Sequence, residues 1–169
     1  VGDMLGRLLD KAGYDVSTEY YINDVGNQMN TLGRSTWMRY LELQGKVNEF
    51  PADYYQGDYI KHIAKDIQDK HGNEFLNKTE EQVLSFFREY ALGSVLDGIK
   101  KDLSDFDVSF DRWFSEKNLY DQKLVDTSVN WLREEKHVYD KDGAVWLKSS
   151  KFNDEKDRVL IKQSGEKTY

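Results

Sequence analysis

The chain has 169 residues, enough for one ordinary domain with a core, and its 38% hydrophobic and 14% aromatic content is that of a folding sequence. A net charge of −7, with Lys and Arg interspersed among Asp and Glu, argues against a broad grip on phosphate backbones; any nucleic-acid contact is local or made by other parts. The lack of cysteine excludes disulfides, thiolate catalysis and Cys-based zinc sites, and no apolar run approaches the ~20 residues of a membrane span, which leaves a cytoplasmic protein as the default.

Leu5, Leu8, Leu9 and Ala12 recur at helical spacing, with Gly13 where a helix C-cap belongs. Asp15 to Ile22 reads as a strand, and Gly26 to Gln44 returns to helix through Met29, Leu32, Met38 and Leu41. Helix, strand, helix suggests half of a doubly wound α/β sheet. Between strand and helix lies Glu19-Tyr20-Tyr21-Ile22-Asn23-Asp24-Val25-Gly26-Asn27-Gln28, an aromatic strand end, an Asn-Asp-x-Gly turn and a polar helix start. Open α/β sheets put their ligands at such junctions.

Residues 45–79 read as an insertion. Phe50-Pro51 breaks the chain, then Tyr55, Tyr59, Ile63 and Ile67 fall at i, i+4 intervals on a helix closed near Gly72. Core packing explains that stripe without a cofactor. Thr79-Glu80-Glu81-Gln82 starts a further helix that runs through Val83, Phe87, Tyr90, Val95 and Ile99 to Leu103. Phe106, Val108 and Phe110 alternate with Asp105, Asp107, Ser109 and Asp111, which predicts a strand with one apolar face. Tyr120 to Lys136 reads as an amphipathic helix, Val138 to Leu147 as a hairpin about Asp142-Gly143, and Val159-Leu160-Ile161 with Ser164-Gly165 as another hairpin arm.

No complete catalytic machine is visible. His62 and His71 are nine residues apart, on opposite sides of one helix, and His137 is far off, so the histidines form no metal site. There is no His-Glu-x-x-His, no Gly-x-x-x-x-Gly-Lys loop and no Gly-x-Ser-x-Gly elbow. The acidic face Asp105, Asp107, Asp111 suits a divalent cation and hence a small metal-dependent enzyme, but a solvated strand face gives the same pattern. Glu116 follows the predicted strand at the edge where α/β ligands sit. A carboxylate there can take a guanidinium through two parallel N–H···O bonds; spacing alone reads it as a surface residue.

The decapeptide resembles the segment that follows the ATP-binding helix in arginyl-tRNA synthetases. Four further blocks are similar to that family in the same order: Val1 to Leu9 with Ala12-Gly13-Tyr14-Asp15-Val16; Tyr55-x-Gly-x-Tyr59-Ile60 with Ile63-Ala64; Phe106 to Glu116; and Asp157-Arg158-Val159-Leu160 with Gly165 to Tyr169. The resemblance covers essentially the whole chain and reverses the surface reading of Glu116. It implies ATP-dependent activation of L-arginine and its transfer to tRNA(Arg), with Mg accompanying ATP in the full enzyme. It also implies that Glu116 receives the arginine guanidinium, that Tyr169 walls the amino-acid pocket, and that Asn23, Asp24 and Gln28 lie on the active-site rim. No residue of the chain is expected to be catalytic or to bind metal.

The implied fold is α/β, a partial Rossmann-like parallel sheet interrupted by a helical insertion and a helix-plus-hairpin insertion. The expected divisions are 1–45 and 80–116 in the catalytic domain, 46–79 and 117–165 as insertions, and 166–169 as the start of the next catalytic strand. Both ends read as cuts inside secondary structure, so a fragment is expected. Its apolar edges should favour self-association, and it should be inactive alone because the family's His-x-Gly-His block and lysine-bearing loop are absent. The rival is a stand-alone module binding protein or RNA through Tyr55, Tyr59, Trp113, Trp131 and Trp146.

Overall fold

The computed structural model describes residues 1–46 and 49–168, so Tyr169, one of the two residues expected to contact arginine, lies outside the described residues. It divides into two units, Val1–Lys117 and Asn118–Tyr169.

The first unit holds helix α1 (Gly2–Lys11), strand β1 (Glu19–Ile22), helices α2 (Asn27–Leu43), α3 (Asp58–His71) and α4 (Glu80–Asp105), and strand β2 (Arg112–Ser115). The core lies among the three long helices and is built by Leu32, Tyr40, Ile60, Ile63, Ile67, Phe75, Val83 and Phe87. Gly33 lets α2 and α4 approach closely, since a Cβ there would stand 3.0–3.1 Å from the Arg88 backbone. The Tyr40 hydroxyl donates to the Gly72 carbonyl at 2.6 Å, fixing the end of α3 inside the core. Tyr90 of α4 donates to Asp66 of α3 at 2.6 Å, and Lys70 donates to both at 2.7 and 2.9 Å.

β1 and β2 pair in parallel, Glu19 with Arg112 through Ile22 with Ser115. Tyr20 stacks on Trp113 at 4.5 Å between centroids, and Phe110 meets both rings edge-on. The Asp111 carboxylate accepts from the Thr18 N–H and hydroxyl at 2.7 and 2.8 Å, which ties the first residues of the pair together. These hydrogen bonds hold the Asp111 carboxyl below the usual carboxylate range.

After α5 (Lys117–Asp121), the second unit holds α6 (Leu124–Glu134), the antiparallel strands β3 (Val138–Lys141), β4 (Ala144–Leu147) and β5 (Arg158–Ile161), and a 3-10 turn at Ser149–Phe152. Asp142 and Gly143 both have positive φ, 53° and 74°, the two-residue turn whose twist matches the flanking strands. Arg133 of α6 grips Asp140 of β3 with two N–H groups at 2.6 and 3.0 Å. Asp157 accepts from the Ser150 N–H and hydroxyl and from Tyr139, binding the 3-10 turn to the sheet.

Several sequence expectations need correction. The strand expected over Asp15–Ile22 is confined to Glu19–Ile22, and Tyr55 precedes α3 rather than lying on it. The strand expected at Phe106–Asp111 does not form. α4 runs on to Asp105, Asp107 turns left-handed at φ 57°, and the Asp107 and Val108 N–H groups donate back to Ser104 and Leu103 at 2.9 and 2.8 Å. That is a Schellman end, which consumes the alternating residues as a cap; pairing begins only at Arg112. The helix expected at Tyr120–Lys136 is broken at Lys123, φ 55°, into α5 and α6.

Candidate functional site

β1 and β2 end side by side, and the chain continues from one into Asn23-Asp24 and from the other into Glu116. The ladder extends one step past the strands, because the Glu116 N–H donates to the Ile22 carbonyl at 3.0 Å. Asp24 then reaches across. Its Oδ2 accepts from the Ser115 hydroxyl at 2.5 Å and its Oδ1 from the Lys117 N–H at 2.9 Å. Glu116 is thus bonded through its own backbone and bracketed on both sides by one carboxylate. The turn that delivers Asp24 depends on Gly26, whose φ 92°, ψ −177° lies in a region essentially reserved for glycine.

Glu116 and Asp24 are half-buried, while Asn23 and Gln28 are exposed, Gln28 in the first turn of α2. Among the described residues, no hydrogen bond or ion pair engages the Glu116 carboxylate. An uncommitted carboxylate at the C-terminal end of a parallel strand has the chemistry to accept a bidentate cation such as a guanidinium. The structure therefore links Asp24 with the flanks of Glu116 and sets Asn23 beside Asp24 in the turn. Ser115 and the Lys117 backbone join the site without any signal in the sequence: Ser115 is adjacent to Glu116, but a contact across 91 residues leaves no local pattern.

The acidic face considered for a metal is dispersed. Asp105 pairs with Lys101 at 2.5 Å, Asp107 with Arg7 at 3.2 Å and Asp111 with Thr18. Among the described residues, no group of three or more His, Asp or Glu has the arrangement of a metal site, and no helix is long and apolar enough to cross a membrane.

No family model matches the chain. Over all 169 residues it is 49% identical to the arginine–tRNA ligase of Bacillus subtilis and 48% identical to that of Geobacillus thermodenitrificans, and it spans 30% of each of those proteins. Along its whole length the chain is homologous to arginyl-tRNA synthetases. A solved structure assigned to arginyl-tRNA synthetase from Campylobacter jejuni superposes with a TM-score of 0.89 at 37% identity, covering 99% of this chain and 36% of that one. The arginyl-tRNA synthetase of Plasmodium falciparum shares the fold at a TM-score of 0.63 and 15% identity. The α/β character and short parallel sheet are thus those of a synthetase structure.

Proposed function

We propose that this chain is the part of an arginyl-tRNA synthetase catalytic domain that reads the arginine side chain. Glu116 receives the guanidinium, Tyr169 walls the amino-acid pocket, and Asn23, Asp24 and Gln28 form its rim. The observation that carries the reading is the half-buried Glu116 at the C-terminal end of a parallel strand, its carboxylate free of partners among the described residues. In this reading the two strands belong to a Rossmann-like sheet, residues 46–79 and 117–165 are insertions, and the whole enzyme works in the cytoplasm. The whole enzyme activates L-arginine with ATP and Mg and transfers it to tRNA(Arg).

The test is steady-state ATP–pyrophosphate exchange by the full-length synthetase carrying this segment. Removing the charged partner of a desolvated guanidinium costs about 2 kcal/mol or more, so Glu116→Ala is expected to raise KM for arginine roughly thirtyfold or more. KM for ATP should hold. An unchanged KM for arginine refutes the assignment. The isolated 169-residue chain is expected to give no arginine-dependent exchange, because the positioned donors that stabilise phosphoryl chemistry are not among its motifs.

A further inference from the structure

We infer that Asp24 is a positioning residue for Glu116, acting on the bound amino acid through the backbone of its neighbour and not by contact. The inference rests on the assignment of Glu116 to the guanidinium.

The argument is geometric. A carboxylate accepts only, with two oxygens. In Asp24 one oxygen takes the Ser115 hydroxyl at 2.5 Å and the other the Lys117 N–H at 2.9 Å. Both donors are immediate chain neighbours of Glu116, one before it and one after. A third bond, from the Glu116 N–H to the Ile22 carbonyl at 3.0 Å, comes from two residues before Asp24. Three consecutive residues, 115 to 117, are therefore held by a single short segment, Ile22–Asp24, across a separation of more than 90 residues. β2 ends at Ser115 and α5 begins at Lys117, so residue 116 is the bend between a strand and a helix. Without the bracket the bend has one interstrand bond and its direction is loosely set. With it, the Cα–Cβ vector of Glu116 is fixed, which is what planar, two-point recognition requires. Asp24 is itself aimed by Gly26, since no side-chain-bearing residue adopts that φ, ψ at low cost.

A positioning role and a direct ligand role separate experimentally. Asparagine preserves the bracket, because its amide oxygen accepts from Lys117 and its NH2 donates to a Ser115 hydroxyl free to rotate. What it loses is charge. In the full-length synthetase carrying this segment, exchange kinetics are read for Asp24→Asn, Asp24→Ala, Ser115→Ala, Glu116→Ala and the Asp24→Ala/Glu116→Ala pair. Asp24→Ala is expected to raise KM for arginine about tenfold or more with KM for ATP within twofold, and Asp24→Asn to stay within about threefold of the parent. Ser115→Ala, which removes one arm and leaves the turn intact, should raise KM for arginine about threefold; it serves if Asp24→Ala does not fold. The pair should bind arginine no worse than Glu116→Ala alone, the non-additivity of residues acting as one unit.

Asp24→Asn as damaging as Asp24→Ala, or a pair whose effects multiply, overturns the positioning role in favour of a direct contact. Equal rises in both KM values reduce Asp24 to a general structural role and overturn it as well. If Glu116→Ala itself leaves arginine binding intact, the assignment of Glu116 has failed first, and that outcome differs from every other.

Discussion

At the scale of single residues, several carboxylates of this chain act as acceptors that tie separate segments together. Asp111 holds Thr18, Asp24 holds both sides of Glu116, Asp157 gathers Ser150 and Tyr139, and Asp66 joins α3 to α4 through Tyr90 and Lys70. Asp66 carries a consequence for pH. The Tyr90 hydroxyl, then Lys70, hold its carboxyl below the ordinary carboxylate range in the folded protein. A folded value below the unfolded one means that ionised Asp66 stabilises the fold above the unfolded value, and that this is lost as pH falls through the lowered value. Tyr90→Phe removes the largest cause of the shift. In urea denaturation followed across pH, the parent is expected to be more stable than Tyr90→Phe at neutral pH, with the gap narrowing below about pH 4. A gap that is constant from pH 7 to pH 3 would show that the hydroxyl acts by packing alone.

Helix ends decide how far the elements could be read from sequence. α1, α2, α4 and α6 all finish in the same paired back-bonds with a left-handed residue after the cap: Gly13, Gly45, Asp107 and Lys136. Where that residue is glycine, the sequence announces the end, as Gly13 does. Where it is Asp107 or Lys136, no glycine marks the left-handed turn that follows the helix. The run Phe106–Asp111 then looked like a strand, and Lys123 hid a break in what looked like one helix. Glu116 nonetheless lies just past a strand, because β2 ends at Ser115. Its bracket was not legible, since a hydrogen bond between residues 91 to 93 apart has no local periodicity. The non-glycine left-handed residues also give a stability test. Lys136 has φ 59°, and the bond it supplies, its carbonyl to Lys148, is from the backbone. A side-chain-bearing residue in that conformation costs roughly 1–2 kcal/mol relative to glycine. Lys136→Gly is therefore expected to raise the melting temperature in a thermal scan, with a smaller gain to the extent that glycine also loosens the unfolded chain. A fall in melting temperature would show that the lysine side chain contributes more than its strain costs.

For the molecule as a whole, the first unit buries its helices α2 to α4 far better than its ends. α1 buries no residue and leaves Met4 and Leu8 60% exposed, and Phe106 is 82% exposed. A two-stranded parallel sheet also leaves backbone groups unpaired on both outer edges. We expect the isolated chain to self-associate through these surfaces as concentration rises, and sedimentation velocity checks it; a sharp monomer boundary at high concentration contradicts it. The parallel pair has one more consequence, in time rather than in space. Thr18 and Asp111, where the pairing starts, are 93 residues apart, and a bare chain of that length closes slowly, since its entropy must be lost before any strand contact forms. The intervening chain includes the helices α2, α3 and α4, which pack on one another in one core, so we expect them to condense first and shorten the span still to be closed. Such an order makes the helical block the first cooperative unit to form and the strand junction around Glu116 among the last. In hydrogen exchange the Glu116 amide should then open more readily than amides in the middle of α2, so the residue assigned to read the amino acid sits on the part of the unit that assembles late and opens early.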